Sequence, residues 1–140
     1  MSATSVPDPR RGDPRRSRGQ RAEQLAAELL EKQGMRILAR NWRQPGGELD
    51  LVADDGGTCV FVEVRARTGE EHGHPLEAVS PRKRARVVRA ARLYLAEEAP
   101  RASGFRFDVV GVLFAVGDSD GPSAEATCFH VANAFDVEGA

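Results

Sequence analysis

An α/β domain, a mixed sheet with a helix on either side, is the fold class this sequence predicts, and three observations predict it. Gly47 to Arg67, GELDLVADDGGTCVFVEVRAR, alternates at period two on both sides of Asp-Asp-Gly-Gly, a strong hairpin signal. One stretch before it and one after it carry apolar residues at helical spacing. Near the end, FRFDVVGVLFAV is nearly continuously apolar, as in strands buried on both faces. The predicted order is helix, three strands, helix, two strands.

Residues 1 to 17 are rich in Pro, Arg, Ser and Gly, with almost nothing apolar, and predict a disordered basic tail ahead of a single domain over 18 to 136. From Arg18 to Gln33, Ala22, Leu25, Ala26, Leu29 and Leu30 form an apolar stripe, and Gly34 ends the helix. Glu23 lies at the edge of that stripe, where a carboxylate reaches a neighbouring sheet or simply flanks it. Met35 to Arg43 reads as a strand in which Trp42 packs. In the hairpin, a two-residue Gly56-Gly57 loop sets Asp55 against Thr58, Ala53 against Val60, Leu51 against Val62 and Leu49 against Val64. The other face then pairs Val52 with Phe61, Asp50 with Glu63 and Glu48 with Arg65, and a one-residue slip would scramble both faces.

After Arg67 a polar loop carries His72 and His74 beside Glu70 and Glu71. A mobile loop is the expectation, with a lid over the site as one use of it and metal binding through H-x-H as the alternative. Ser80 and Pro81 signal the start of a helix running to about Glu98. Its inward stripe is Val87, Val88, Ala91, Tyr94 and Leu95. Arg82, Arg86 and Arg89 make a separate basic face, while Lys83, one turn before Val87, either points toward the sheet or snorkels to solvent. Phe105 to Val116 and Ala126 to Val131 complete the strands. Asp108 interrupts the first of these, as a structural acid or a substrate contact.

The Asp50 and Glu63 pairing demands compensation. Opposed cross-strand Cβ atoms lie about 4.5 to 5.5 Å apart, and two charges at roughly 5 Å repel by about 3 kcal/mol at an effective dielectric near 20. A protonated acid, a nearby cation such as Arg65, or a divalent metal would each offset this.

Charge distribution narrows the partners. Residues 1 to 21 hold six arginines against two aspartates, a local +4 within a total of −1, and Arg82 to Arg92 hold six basic residues and no acid. Such zones beside a carboxylate site suit a phosphate backbone, or a solvated tail and helix face. Cys59 and Cys128 fall in predicted strands, as buried thiols rather than a disulfide. No apolar run approaches the roughly 20 residues needed to span a bilayer, so a soluble cytoplasmic protein without a membrane partner is expected.

An acid on the first helix (Glu23), an Asp on the second strand (Asp50) and Glu-x-basic on the third (Glu63, Val64, Arg65) resemble the PD-(D/E)xK nuclease superfamily, in particular its Holliday-junction-resolvase-like branch. More closely, GGELDLVADD, FVEVRAR, EAVSPRKRARVVRAARLYL, RFDVV and HVANAF resemble the YraN family of bacterial proteins, from Gly19 to Phe135. The resemblance implies a restriction-endonuclease-like core in which Asp50, Glu63, the Val64 carbonyl and Glu23 hold Mg²⁺ or Mn²⁺, with Glu48 orienting neighbours or pairing with Arg65. It implies DNA as partner, Arg82, Arg86 and Arg89 contacting it, and a homodimer for paired cuts.

One departure stands out: the superfamily motif carries lysine where this chain has Arg65. A guanidinium stays charged and cannot serve as a base. Either the cation site suffices, or Lys83 supplies the amine from the second helix, or catalysis has weakened. The expected function is a metal-dependent DNA endonuclease acting on branched or damaged DNA. Its competitors are a catalytically weakened nucleic-acid-binding accessory protein and a protein-interaction module.

Overall fold

The computed structural model describes residues 14–69, 73–77, 79–115 and 125–137, with side chains from Arg18 onward. Its elements follow the predicted order: α1 (Pro14–Lys32), β1 (Arg36–Gln44), β2 (Gly47–Asp55), β3 (Thr58–Thr68), α2 (Pro81–Glu98), β4 (Gly104–Phe114) and β5 (Ala126–Phe135). One five-stranded sheet runs β1-β2-β3-β4-β5 in space. Neighbours are antiparallel except β3 and β4, whose parallel pairing requires the crossover that α2 provides.

Each face of the sheet buries its own helix. Ala22, Ala26 and Leu30 of α1 pack on Leu51, Val62 and Val110. Val87, Val88, Ala91 and Tyr94 of α2 pack on Val52, Phe61 and Phe107, with Tyr94 meeting Trp42 and Phe61 edge-on. Because β3 and β4 are covered on both sides, their sequences read as apolar runs rather than alternations. A mixed sheet between two helices is the restriction-endonuclease-like arrangement.

Local chemistry sets the helix ends. At Gly34 (φ 94), Met35 N–H donates to the Leu30 carbonyl and Gly34 N–H to that of Glu31, which closes α1 in a Schellman turn. Ser80 caps α2, its hydroxyl accepting from Lys83 N–H, and Pro81 follows at the first helical position, where a missing N–H costs nothing. Proline also opens α1, at Pro14, so the helix starts four residues ahead of the expected Arg18. The rest of the predicted tail, residues 1–13, lies outside the described residues, as does Val116 at the expected end of the fourth strand. β5 continues to Phe135 instead of ending near Val131.

The hairpin keeps the counted register through Asp55 with Thr58, Ala53 with Val60 and Leu51 with Val62. Gly56 (φ 59) and Gly57 (φ 101) supply the two positive φ angles that a tight, right-twisted hairpin loop needs. Beyond Leu51 the count fails. The ladder stops there, so Asp50 with Glu63 and Glu48 with Arg65 are not ladder pairs, and Leu49 joins the α2 core instead of lying beside Leu51. Two contacts account for this. The Asp50 side chain takes the Val64 N–H at 2.8 Å, replacing a strand-to-strand bond. Gly47, at the start of β2, lies so close to α2 that a Cβ there would sit 2.8 Å from the Arg86 carbonyl oxygen, which draws β2 toward that helix.

Asp108 resolves as a structural acid. It is fully buried at the point where the β4–β5 register shifts. It accepts from Arg106 at 3.0 and 3.2 Å and from the Asn133 N–H at 2.9 Å, and meets His130 Nε2 at 2.8 Å. Arg106 also reaches Asp55 at 2.9 Å, tying β4 to the hairpin turn. Burial pushes the Asp108 carboxyl up, but the bonds from His130, Arg106 and Asn133 outweigh it and hold the group below its ordinary range. Cys59 is a buried free thiol pushed up to about 11 by burial and by Asp54, and Cys128 is half-buried and free. Among the described residues no helix is long and apolar enough to cross a membrane.

Candidate active site

Where the β2–β3 ladder ends, Asp50 and Glu63 lie on neighbouring strands, and Glu63 lines a cleft. Asp50 is half-buried and Glu63 is only 7 % exposed. The carboxyls lie near enough to hydrogen-bond one another. Burial, and then the Asp50 charge, push Glu63 up to about 8. Burial also raises Asp50, against the opposing Val64 N–H and Lys83 charge. Of the two acids, Glu63 is the one that burial and its neighbour's charge push furthest toward holding its proton. The compensation for two facing carboxyls is thus first a protonated acid, and second an amine.

That amine is Lys83. Its Nζ stands 3.4 Å from Glu63 Oε1. The Lys83 charge opposes the rise in the Glu63 carboxyl, but Lys83 is partly open to water and its pull is correspondingly weakened, so burial and Asp50 outweigh it. The inward option for Lys83 is therefore the one adopted. The capped first turn of α2 fixes its direction.

Arg65 has a different task from the one its motif position suggests. Its Nη1 donates to the Glu77 carbonyl at 2.6 Å and so pins the loop that leads into α2. Glu48, for its part, pairs with Arg43 at 3.3 Å. The same loop is held elsewhere: Pro75 fits against Gly111, where a Cβ would come within 2.9 Å. His74 packs edge-on to Phe129 and accepts from Leu76 N–H. Residues 73–77 are thus anchored to the sheet, whereas His72 lies outside the described residues. Glu63, Arg65, Arg67, Val79, Ser80 and Lys83 line a cleft of about 360 Å³.

Glu23 stands at the rim. Its Oε1 accepts from Asn41 Nδ2 at 3.2 Å. Burial raises its carboxyl, Asn41 opposes this, and the charges of Asp50 and Glu48 add to the rise. Among the described residues no three Asp, Glu, His or Cys side chains converge closely enough to ligate one ion, so Glu23 does not join Asp50 and Glu63 as a third direct ligand. Arg82, Arg86 and Arg89 are all exposed on α2. Arg89 also lies against the β1–β2 turn, its Nε 3.0 Å from where a Gly46 Cβ would be.

Asn41 is the residue that sequence reasoning missed. It sits in β1 at φ 49, a left-handed conformation rare in a strand. The only signal was an asparagine, a poor strand former, in the middle of MRILARNWR.

A hard divalent cation fits this donor set. Two adjoining carboxyls, of which burial raises both and the Asp50 charge further raises Glu63, are satisfied when a cation takes the place of a proton beside an open cleft.

The chain matches the model of a family described as Uncharacterised protein family UPF0102 over residues 22–112, a span that holds Glu23, Asn41, Asp50, Glu63 and Lys83. A UPF0102 protein of Symbiobacterium thermophilum is 46% identical over 117 residues, 84% of this chain and 94% of its own. One from Pelotomaculum thermopropionicum is 51% identical over 102 residues, covering 73% and 85%. One from Syntrophotalea carbinolica is 46% identical over 125 residues, covering 89% and 96%.

Proposed function

The chain belongs to protein family UPF0102, the YraN family, and from that membership together with the cleft at Asp50, Glu63 and Lys83 we propose that it is a Mg²⁺- or Mn²⁺-dependent DNA endonuclease. The observation that carries the reading is the buried Glu63 beside Asp50 at the end of the β2–β3 ladder, with Lys83 at 3.4 Å. A buried acid pair that is costly without a cation is what a site built for one requires. Asp50, Glu63 and the Val64 carbonyl would hold it. When bound, it supplies Lewis-acid polarisation of a phosphoryl oxygen and activation of the attacking water.

The chain's own residues do the rest. Asp50 is oriented by the Val64 N–H, which holds one of its carboxylate oxygens at 2.8 Å. Lys83 offers a cationic hydrogen-bond donor to a phosphate entering beside Glu63, a task for which the superfamily motif uses its lysine. Arg65 acts as a strut for the cleft wall through the Glu77 carbonyl. Arg82, Arg86 and Arg89 present positive charge to the flanking phosphates. The net reaction is hydrolysis of a phosphodiester: water adds to phosphorus and the bond to one ester oxygen breaks. Branched or damaged DNA is the substrate class, and a homodimer would make paired cuts.

The second reading, an accessory DNA-binding protein with weakened turnover, draws on one observation, an arginine, Arg65, at the position where the superfamily motif has lysine. End-labelled four-way junction, flap, single-strand and duplex DNA, incubated in Mn²⁺ with wild type and Asp50→Asn, separates the two. Cuts made by the wild type and absent from the variant are expected. Binding without cutting, equal in both proteins, would move the assignment to the accessory role.

A further inference from the structure

We propose that Asn41 is a positioning residue whose strained backbone holds Glu23 as an outlying anionic partner of the cation site at Asp50 and Glu63. The proposal rests on the reading above and deepens it.

Three observations on different elements converge on this residue. In the β1–β2 ladder Arg40 pairs with Leu51 and Trp42 with Leu49, so Asn41 lies across from Asp50, the acid at which the β2–β3 ladder opens. Its backbone is left-handed, φ 49, in the middle of a strand. An L side chain pays for that conformation, and such strain persists only where the surroundings impose it, often next to a functional group. Its amide then donates to Glu23 Oε1 at 3.2 Å across the gap between β1 and α1.

The arrangement answers a geometric problem. Glu23 is on a helix and Asp50 on a strand, and no three acids converge to ligate an ion directly among the described residues. A half-buried glutamate feels the charges of Asp50 and Glu48, which oppose its ionised form, and of Arg43, which favours it. A neutral amide donor on the strand between them fixes the carboxylate without adding a charge that would compete with the cation. Asparagine meets both requirements, since it tolerates the left-handed region and carries the donor. Glycine meets only the first. Aspartate puts a third acid at the same place.

That difference makes the test. Mn²⁺ affinity is measured by calorimetry, and apo thermal stability in parallel, for wild type, Asn41→Gly, Asn41→Asp, Glu23→Gln and the Asn41→Gly/Glu23→Gln double variant. A purely structural asparagine predicts that Asn41→Gly, which relieves the strain, binds Mn²⁺ as the wild type does. The positioning role predicts that Asn41→Gly folds at least as stably yet binds Mn²⁺ about tenfold more weakly, within the range for outer partners of metal ligands. Glu23→Gln should lose a similar amount and the double variant no more than either alone. Asn41→Asp should not restore binding. Wild-type affinity in Asn41→Gly, or losses that add in the double variant, would overturn the proposal while leaving the endonuclease reading in place. A wild type that binds no Mn²⁺ would overturn both.

Discussion

Replacing Glu63 by glutamine should change how stability depends on pH more than it changes stability itself. Glu63 is almost fully buried and its carboxyl is pushed from 4.5 up to about 8 by burial and Asp50. The folded chain keeps this proton until about pH 8, whereas the unfolded chain releases it near pH 4.5, so between those values the folded state binds more protons. The resulting stability is complete below pH 4.5 and is lost as pH rises through 8. The full excursion corresponds to roughly 5 kcal/mol. Water in the cleft and the Lys83 ammonium at 3.4 Å reduce it, and about 2 to 3 kcal/mol between pH 5 and 8 is the expected realised loss. Glutamine has the same shape as the protonated acid and never ionises. Urea unfolding of both proteins in EDTA at pH 5, 6, 7 and 8 should give near-equal stabilities at pH 5. The variant should lead by about 2 kcal/mol at pH 8, with every other titrating group common to both. Parallel pH profiles would refute the protonated acid and, with it, the account of how the apo site tolerates two adjoining carboxyls.

The same proton predicts that Mn²⁺ binding at pH 7 releases close to one proton in the wild type and far less in Glu63→Gln, read from calorimetry in buffers of different ionisation enthalpy. Gly47→Ala would force a methyl to 2.8 Å from the Arg86 carbonyl oxygen and 3.0 Å from Ala90 Cβ. It should cost about 1 to 3 kcal/mol by urea unfolding, and an unchanged midpoint would show that α2 gives way freely. Asp108→Asn leaves Arg106 and His130 facing a neutral partner and should cost about 3 kcal/mol. Because the folded carboxyl is held low, its contribution is present above the ordinary aspartate range and lost on acidification through the folded value, so the variant's acid limb should be shallower. Ala99, left-handed at φ 43 and exposed at the end of α2, should gain about 1 kcal/mol as glycine, measured as a rise in Tm.

Short-range chemistry was legible in the sequence: Asp-Asp-Gly-Gly announced the hairpin and its register near the turn, and Ser80-Pro81 announced the start of α2, each through a backbone requirement that few residues meet. What was not legible depends on contacts between distant segments. Leu49 changes face because Gly47 approaches α2, a meeting of residues some forty positions apart. Asp108 looked ambiguous as an acid in an apolar run, since its partners Arg106, His130 and Asn133 come together only through the β4–β5 register shift. Asn41 carried no pattern at all, because a left-handed residue within a strand is set by its surroundings. The acids of the site were found by counting along the hairpin. Their relation to each other was not, because the count assumed a ladder that in fact ends three pairs short, at Leu51 and Val62.

That early end of the ladder has a consequence for how the chain assembles. The β2–β3 hairpin is local and needs only its own turn, so it can close soon after its residues are available. Its Asp50 end is never zipped, and it is covered only when β4 pairs with β3 across a crossover that includes the whole of α2, a slow, non-local event. Before that docking the two carboxyls are solvated and titrate as ordinary acids. Afterwards one of them is enclosed with its proton, facing an amine that arrived on the docking helix. The electrostatics of the cleft are in this sense a late product of folding, and a hairpin made as an isolated peptide would hold the acids without the property that makes them a site.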